Sequence, residues 1–278
     1  MQDMEIKHEK EVLAFDNMLS LMEKVRKECP WDNSQTNDSL RTLTIEELYE
    51  LSQAILDGND KEICKELGDV MMHVVFYALI GKEKDVFDIT DVLNSLSEKL
   101  IRRHPHVFNK DLNLTAQEVE KNWERIKLKE GNRSTLSGVP ETLPSLIKAY
   151  RLQDKAKGIG FDWKCKEDVW KKVEEEIKEL QAEEQIADNS TDNASQKSNI
   201  QNQNPNIQTE FGDVLFALIN YARFININPD TALETANRKF KRRFEYMEKQ
   251  AKENGKPLQD MNIEEMEELW QESKRQGL

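Results

Sequence analysis

Residues 46–51 read EELYEL, and residues 175–180 read EEIKEL. A second acidic block, ELGDV at residues 66–70, returns as EFGDV at residues 210–214. Blocks that recur in the same order indicate an internal repeat, and such a repeat sets the architecture before any single element does. We therefore predict that the chain contains one structural module twice.

Basic and aromatic residues repeat in the same order farther along the chain. The pattern Lys-x-x-Arg-Arg occurs at residues 99–103 and 239–243, and Trp-x-x-x-Lys occurs at residues 123–127 and 270–274. Four chemically distinct blocks in the same order are not a chance match. The repeat therefore extends over both halves of the chain.

A change in spacing locates an insertion in the second copy. The first acidic blocks begin 129 residues apart and the second acidic blocks 144. Residues 185–208 lie between these blocks; they are rich in Asn, Gln and Ser and contain no aromatic residue. This composition cannot bury enough apolar surface to offset its ordering entropy, which predicts a disordered polar insert. The predicted organisation is an N-terminal module at residues 1–130, a linker at 131–145 and a C-terminal module at 146–278.

The spacing of apolar residues predicts an all-α fold. Apolar side chains recur at helical spacing along residues 67–79 and again along residues 211–222, and no segment shows the sustained alternation of a strand. Thr44 and Glu47 match a capping box that would begin the first acidic helix. Pro105 marks the place where the helix before it should stop.

Composition narrows the class of function. A formal net charge of −13 disfavours nucleic acid as the main partner. The charged N-terminus does not resemble a signal peptide, and the longest apolar run, residues 74–80, is too short to span a membrane. Three cysteines without a CxxC pair fit reduced thiols. We expect a cytoplasmic protein with no membrane partner.

The acidic blocks predict a metal site in each copy. If the two acidic helices pack antiparallel, their carboxylates converge and repel one another unless a cation lies between them. Oxygen ligands without Cys or His favour a hard ion, Mg²⁺ or Mn²⁺. The alternative is an ordinary solvated acidic face, which the recurrence of the spacing disfavours. The candidate metal ligands are Glu46, Glu47, Glu50, Glu66 and Asp69 in the first copy and Glu175, Glu176, Glu179, Glu210 and Asp213 in the second.

The acidic blocks resemble those of the all-α nucleoside triphosphate pyrophosphohydrolase superfamily. The strings CPWD at 29–32, RRHPHVF at 102–108 and GFDW at 160–163 resemble the two-domain MazG proteins. The resemblance implies an all-α fold whose modules form four-helix-bundle cores on dimerisation, usually in a homodimer. It also implies Mg²⁺-dependent hydrolysis of a nucleoside triphosphate to the monophosphate and pyrophosphate. House-cleaning of the nucleotide pool and lowering of an alarmone pool are both compatible with that activity.

The resemblance also implies roles for individual residues. Lys239 and Arg243 would stabilise charge on the phosphates, and Glu176 is a candidate general base. The second copy is expected to carry most of the turnover, because in related two-copy proteins it can be the only active one. A non-catalytic helical dimer that senses nucleotides or binds a regulatory partner is the alternative function. The implied substrate-binding residues are Lys239, Arg243, Trp270 and Lys274, with Lys99, Arg103, Trp123 and Lys127 in the first copy.

Overall fold

The chain folds into helices that form two compact units, Met1–Leu114 and Thr115–Leu278. All regular secondary structure in the described residues is helical, so the prediction of an all-α fold is confirmed. Among the residues that the structure describes, we find no helix that is long and apolar enough to cross a membrane. The computed structural model describes residues 8–108, 114–115, 118–119, 122–123, 126, 134–191 and 205–278.

The first unit is organised around a pair of antiparallel helices, α3 and α4. A two-residue connection joins them: Gly58 ends α3 with φ 63°, a conformation that favours glycine, and the Asn59 side chain accepts a hydrogen bond from the Glu62 amide to begin α4. So short a connection forces the two helices to run side by side. The helices of this unit are α1 (Glu9–Glu28), α2 (Pro30–Ser34), α3 (Asn37–Asp57), α4 (Asp60–Glu83), α5 (Ile89–Arg103) and α6 (Pro105–Phe108).

The apolar core of the first unit lies where α1 and α3 meet α4. Leu40 of α3 and Val75, Phe76 and Ile80 of α4 are buried there, together with Met22 of α1. An ion pair ties the end of α1 to the end of α4 beside this core. The Arg26 guanidinium donates to the Glu83 carboxylate at 2.7 and 2.8 Å.

The predicted start of α3 at Thr44 is wrong, whereas the predicted stop at Pro105 is confirmed. α3 begins at Asn37, where Thr36 and Ser39 form a capping box. Thr44 lies inside the helix, because the chain has to be helical already at Leu40 to bury that side chain in the core. α5 ends at Arg103, directly before His104 and Pro105.

The second unit repeats the helix pair with α8 and α9. These two helices pack along each other, α7 packs on α9 and α10, and α11 packs on α10. The second unit is therefore built around the same arrangement as the first. Within residues 134–191 and 205–278 its helices are α7 (Ser145–Gly158), α8 (Lys166–Thr191), α9 (Pro205–Phe224), α10 (Pro229–Glu253) and α11 (Ile263–Arg275), with a 3₁₀ turn at Leu258–Asp260.

The ends of the predicted polar insert are helical. α8 continues to Thr191 and α9 begins at Pro205, so a disordered segment covering all of residues 185–208 was too wide a prediction. Residues 192–204 lie outside the described part of the chain, as does the predicted domain boundary at residue 130. In the predicted linker, residues 134–144 form turns up to the start of α7.

The apolar stripes of α4 and α9 are only partly covered within their own units. In α4, Leu67, Met71 and Val74 are exposed although Val75 and Ala78 are buried. The positions that match the exposed ones by the 144-residue spacing are exposed as well. They are Phe211, Leu215 and Leu218 of α9.

We expect Glu83→Gln to lower the free energy of unfolding at pH 7 by about 1–2 kcal/mol, because the nearly buried Arg26 loses its carboxylate partner. The Arg26 hydrogen bond holds the pKa of Glu83 below its ordinary value of 4.5. The pair's contribution is therefore fully present above about pH 4.5 and is lost as the pH falls through the lowered pKa. Urea unfolding of both proteins at several pH values measures this. A stability difference that stays constant down to about pH 3 would contradict it.

Candidate metal centres

Three acidic residues of the first unit converge between α3 and α4. Glu47 supplies one carboxylate from α3, and Glu66 and Asp69 supply two from α4; one oxygen of each lies within 4.8 Å of the others. The antiparallel arrangement of α3 and α4 brings these carboxylates together. Glu47 lies 10 residues before the end of α3 and Asp69 lies 9 residues after the start of α4, so a tight antiparallel turn brings them level.

The Glu66 side chain is the feature of this cluster that most needs a ligand. It is 3% exposed, and its Oε1 accepts a hydrogen bond from Lys65 Nζ at 2.7 Å. Its Oε2 is buried without a hydrogen-bond partner. A buried carboxylate oxygen that accepts nothing is unfavourable, and a cation placed among the three carboxylates would satisfy it.

The electrostatics of the first cluster also favour a cation. Burial raises the pKa of Glu47, and the charges of the surrounding acids raise it further. Like charges at such distances repel by several kcal/mol at roughly surface-like dielectric, so the ionised cluster is under strain without a counter-charge. The acids that raise the pKa of Glu47 are Asp69, Glu50, Glu66 and Glu46.

The second unit holds a corresponding cluster between α8 and α9. Glu176 and Glu179 of α8 and Glu210 of α9 each place a carboxylate oxygen within 4.8 Å of the others. Glu176 is buried, whereas Glu179 is exposed. Desolvation, followed by a hydrogen bond and charge repulsion from Glu176, raises the pKa of Glu179. Both copies therefore concentrate negative charge at the same place on a helix pair.

The two clusters use different members of the repeated acidic blocks. Asp69 belongs to the first cluster but the matching Asp213 does not belong to the second; Glu179 belongs to the second but the matching Glu50 does not belong to the first. Glu46 and Glu175 also lie outside the two groups. Metal binding by all ten candidate ligands, whether inside or outside these groups, stays a prediction.

Lys172 is a residue of the second site that the sequence analysis missed. Its ammonium lies 2.8 Å from Glu175 and 2.7 Å from Glu176, and these hydrogen bonds raise the pKa of Lys172. The lysine thus neutralises part of the charge that a cation would otherwise balance. Lys172 precedes one acid by three residues and the next by four on the same helix, and this spacing in the sequence predicts ion pairs.

The predicted basic and aromatic residues of the second copy are partly assembled. The Arg243 guanidinium of α10 lies 5.5 Å from the Trp270 ring centre of α11, and Arg243 Nε donates to the carbonyl oxygen of Leu278 at 2.7 Å. Lys239 and Lys274 are exposed on the same two helices. Arg243 and Trp270 therefore form one group, and the binding of substrate by all four residues stays a prediction.

The matching residues of the first copy are less fully described. Lys99 is exposed and Arg103 is half-buried, both near the end of α5. Trp123 is half-buried, and Lys127 lies outside the described residues. Their predicted role in substrate binding is therefore not tested.

Comparison with known proteins identifies the family. The MazG nucleotide pyrophosphohydrolase domain matches residues 35–108, which include the whole first cluster. The chain is 40% identical to the nucleoside triphosphate pyrophosphohydrolase/pyrophosphatase MazG of Thermotoga maritima, over 94% of this chain and 96% of that protein. It is 36% identical to the nucleoside triphosphate pyrophosphohydrolase of Escherichia coli K12, over 95% of this chain and 98% of that protein. It is 44% identical to YabN, an uncharacterised protein of Bacillus subtilis, over 94% of this chain and 51% of that protein.

An all-α chain with paired acidic clusters and relatives of this kind is a hydrolase that acts on acid anhydrides. It belongs to the MazG family of nucleotide pyrophosphohydrolases.

The two ion pairs of Lys172 generate a prediction about metal binding. We expect Lys172→Met to lower the free energy of unfolding in chelator by about 1–2 kcal/mol, because Glu176 stays buried without its cation. The same change should tighten Mn²⁺ binding severalfold, since the ion no longer competes with an ammonium. Thermal unfolding and Mn²⁺ titration followed by electron paramagnetic resonance measure the two effects.

Lys171→Met provides a matched control on the same helix. Lys171 is exposed and pairs with Asp168 at 3.0 Å, so its loss should leave the free energy of unfolding nearly unchanged. Equal effects of the two substitutions, or weaker Mn²⁺ binding by Lys172→Met, would contradict the competition between the lysine and the ion.

Proposed function

We propose that this protein is a Mg²⁺-dependent nucleoside triphosphate pyrophosphohydrolase, which converts a nucleoside triphosphate and water to the monophosphate and pyrophosphate. One observation carries the proposal: each unit concentrates three carboxylates within 4.8 Å, and in the first unit a buried oxygen of Glu66 lacks a partner. The relatives from Thermotoga maritima and Escherichia coli are named as nucleoside triphosphate pyrophosphohydrolases, which supports the same substrate class. House-cleaning of the nucleotide pool is the role that fits this activity.

The ligands fit Mg²⁺ or Mn²⁺. Both clusters offer carboxylate oxygens, which suit hard divalent ions. We expect Glu47, Glu66 and Asp69 to hold an ion in the first unit, and Glu176, Glu179 and Glu210 in the second. A bound Mg²⁺ supplies Lewis acidity at the phosphoryl oxygens and offsets the charge of the departing pyrophosphate.

Residues of the second unit complete the proposed site. Lys172 lies against Glu176, and its ammonium would supply positive charge to a phosphate oxygen beside the carboxylates that would hold the ion. Arg243 and Lys239 contribute further positive charge as negative charge accumulates on the phosphates. Glu176 accepts the proton of the attacking water, and Trp270 offers a ring beside Arg243.

The reaction products test this proposal directly. With a deoxynucleoside triphosphate and Mg²⁺, the protein should release pyrophosphate and the monophosphate, and in H₂¹⁸O the label should enter the monophosphate, since water attacks the α-phosphorus. Chelator should abolish the reaction. Release of orthophosphate, or turnover that persists in chelator, would contradict the mechanism. Nucleotide binding without any turnover would favour the alternative, a non-catalytic nucleotide sensor.

The repeat supplies a matched pair of variants for this assay, because Glu66 and Glu210 occupy corresponding positions in the two copies. We expect Glu210→Gln to reduce kcat by about 100-fold or more, because it removes a metal ligand from the copy that we assign to turnover. Glu66→Gln should retain most of the kcat while weakening the binding of one Mn²⁺. The reverse outcome would assign catalysis to the first copy.

We also propose that the chain forms a homodimer through the exposed apolar face of α4 and α9. The exposed apolar residues Leu67, Met71 and Val74 recur as Phe211, Leu215 and Leu218. Exposed apolar side chains that form a contiguous helix face typically mark a protein interface. Such an interface would add helices to each pair and complete the bundle that the family resemblance implies.

A charge placed on this face should weaken the dimer. Leu215→Lys is expected to shift the protein toward the monomer in light scattering coupled to size-exclusion chromatography, because an ammonium cannot be buried in an apolar contact without a partner. Asn206→Lys, at an exposed polar position on the opposite side of the same helix, is the control. A wild-type protein that is monomeric at micromolar concentration would refute the proposal.

A further inference from the structure

The residues that follow α11, Gln276–Leu278, form a tight turn that folds back onto that helix. Gly277 has φ 78°, a left-handed conformation that favours glycine. Its amide donates to the Lys274 carbonyl oxygen at 3.1 Å, and the Leu278 amide donates to the Ser273 carbonyl oxygen at 3.2 Å. These two hydrogen bonds define a Schellman motif. The motif fixes the position of the Leu278 main chain relative to α11.

The Leu278 main-chain oxygen pairs with the Arg243 side chain of α10. Nε of Arg243 donates to this oxygen at 2.7 Å, and the guanidinium carbon lies 5.5 Å from the centre of the Trp270 ring. A guanidinium is a rigid, planar fork of N–H donors, so a hydrogen bond at one edge and a ring against its face fix its orientation. No described residue accepts a hydrogen bond from the two Nη groups of Arg243. The turn therefore occupies one donor and leaves the outer edge of the fork to a ligand.

The frame that carries the turn is itself well anchored. Ser273 is fully buried, and its hydroxyl donates to the Trp270 carbonyl oxygen at 2.7 Å. The Trp270 ring also lies 5.4 Å, centre to centre, from the Phe240 ring of α10. The turn starts from this packed contact between α10 and α11. A long arginine side chain loses rotamer freedom when it is ordered, and here folding has already ordered it.

Orientation matters more for Arg243 than for the lysine beside it. Lys239 and Arg243 are four residues apart in α10, so they lie on the same face of that helix. An ammonium is a compact point charge that a phosphate can approach from many directions. A guanidinium binds a phosphate most strongly through two parallel hydrogen bonds, which need the fork to be aligned. The alignment of Arg243 comes from the Leu278 oxygen and the Trp270 ring.

We propose that the turn at Gln276–Leu278 is a positioning element of the phosphate-binding site, because its main-chain oxygen holds the Arg243 guanidinium with both Nη groups available to phosphate oxygens. The inference rests on the proposed function, which makes Arg243 a phosphate ligand. The turn acts through Arg243 and does not itself contact the substrate. The opposite role is a stand-in for phosphate that the substrate displaces. Two observations argue against that role: the Schellman hydrogen bonds hold Leu278 in place, and the Nη groups need no displacement.

Calorimetric titration of the full-length protein with inorganic pyrophosphate in Mg²⁺ tests the proposal. Gly277→Pro fixes φ near −65° and removes the amide donor, so the turn cannot form. This variant should bind pyrophosphate about tenfold more weakly, as expected when a charge-assisted hydrogen bond is lost. Gly277→Asn should keep the affinity within about twofold, because asparagine tolerates the left-handed conformation. Gln276→Ala, which leaves Gly277 in place, is the matched control and should bind like the wild type. Thermal unfolding confirms that all three variants are folded.

A double-substitution cycle separates positioning of Arg243 from a general effect on the fold. Arg243→Lys keeps a positive charge, so pyrophosphate affinity stays measurable, but it has no planar fork to align. Gly277→Pro should therefore cost nothing further in the Arg243→Lys background. An equal loss in both backgrounds would overturn the proposal, since it would mean that the turn supports the fold and not the guanidinium.

Three other results would also overturn it: unchanged pyrophosphate affinity in Gly277→Pro, tighter binding by that variant, or no pyrophosphate binding by the wild type. Tighter binding is the result expected of a displaced phosphate stand-in. Because these titrations measure binding without turnover, failure of the proposed function can be recognised separately. A protein that binds pyrophosphate through an oriented Arg243 but hydrolyses no triphosphate would refute the proposed function and support the role of the turn.

Discussion

Mutual repulsion between carboxylates is the constraint around which both units are built. Packing α3 against α4 buries the apolar core, but it also forces Glu47, Glu66 and Asp69 to within 4.8 Å of one another. The stability of the core therefore holds the acids together, since apolar burial and dispersion supply the energy that opposes their repulsion. The helix pair is in this sense a preorganised cation site, because the cost of assembling the ligands is met when the protein folds.

The repeat and the helical class could be predicted because both depend on spacing along the chain. Repeated blocks in the same order and apolar residues at helical spacing can be recognised without knowing how the helices pack. The composition of the clusters depends instead on how each helix is rotated against its neighbour. That rotation brings Glu179 into the second cluster but leaves the matching Glu50 out of the first, and no local pattern in the sequence distinguishes these two residues.

Capping illustrates the same limit at shorter range. Thr44 and Glu47 satisfy the pattern of a capping box, yet the Thr44 hydroxyl lies inside α3, 2.9 Å from the Leu40 carbonyl oxygen. The competing box at Thr36 and Ser39 wins because it begins the helix early enough to bury Leu40. Local signals of similar strength are thus decided by the tertiary core, as is usual for helix boundaries.

The two copies have also diverged where they pack their first helix. In the first unit, Phe76 of α4 fills the core beside α1. The matching position of α9 is Asn220, whose side-chain oxygen accepts a hydrogen bond from Arg223 at the edge of a cavity of about 720 Å³ between α7 and α9. The aromatic side chain of Phe76 fills this space in the first copy, whereas the smaller Asn220 side chain leaves it open in the second. The repeat therefore conserves the helix pair while its outer side is free to change.

The buried polar group between α3 and α4 bears on how a chain with two similar helix pairs assembles. The Thr44 hydroxyl lies 3.0 Å from His73 Nδ1 and 2.7 Å from the Tyr77 hydroxyl. The positions that match Thr44 and His73 in the second unit are Val173 and Ala217. If α4 paired with α8 during folding, His73 would face a methyl group and lose a hydrogen bond, at a cost of about 1–3 kcal/mol. Crossed pairing of the helices is thereby penalised, so each helix selects its own partner.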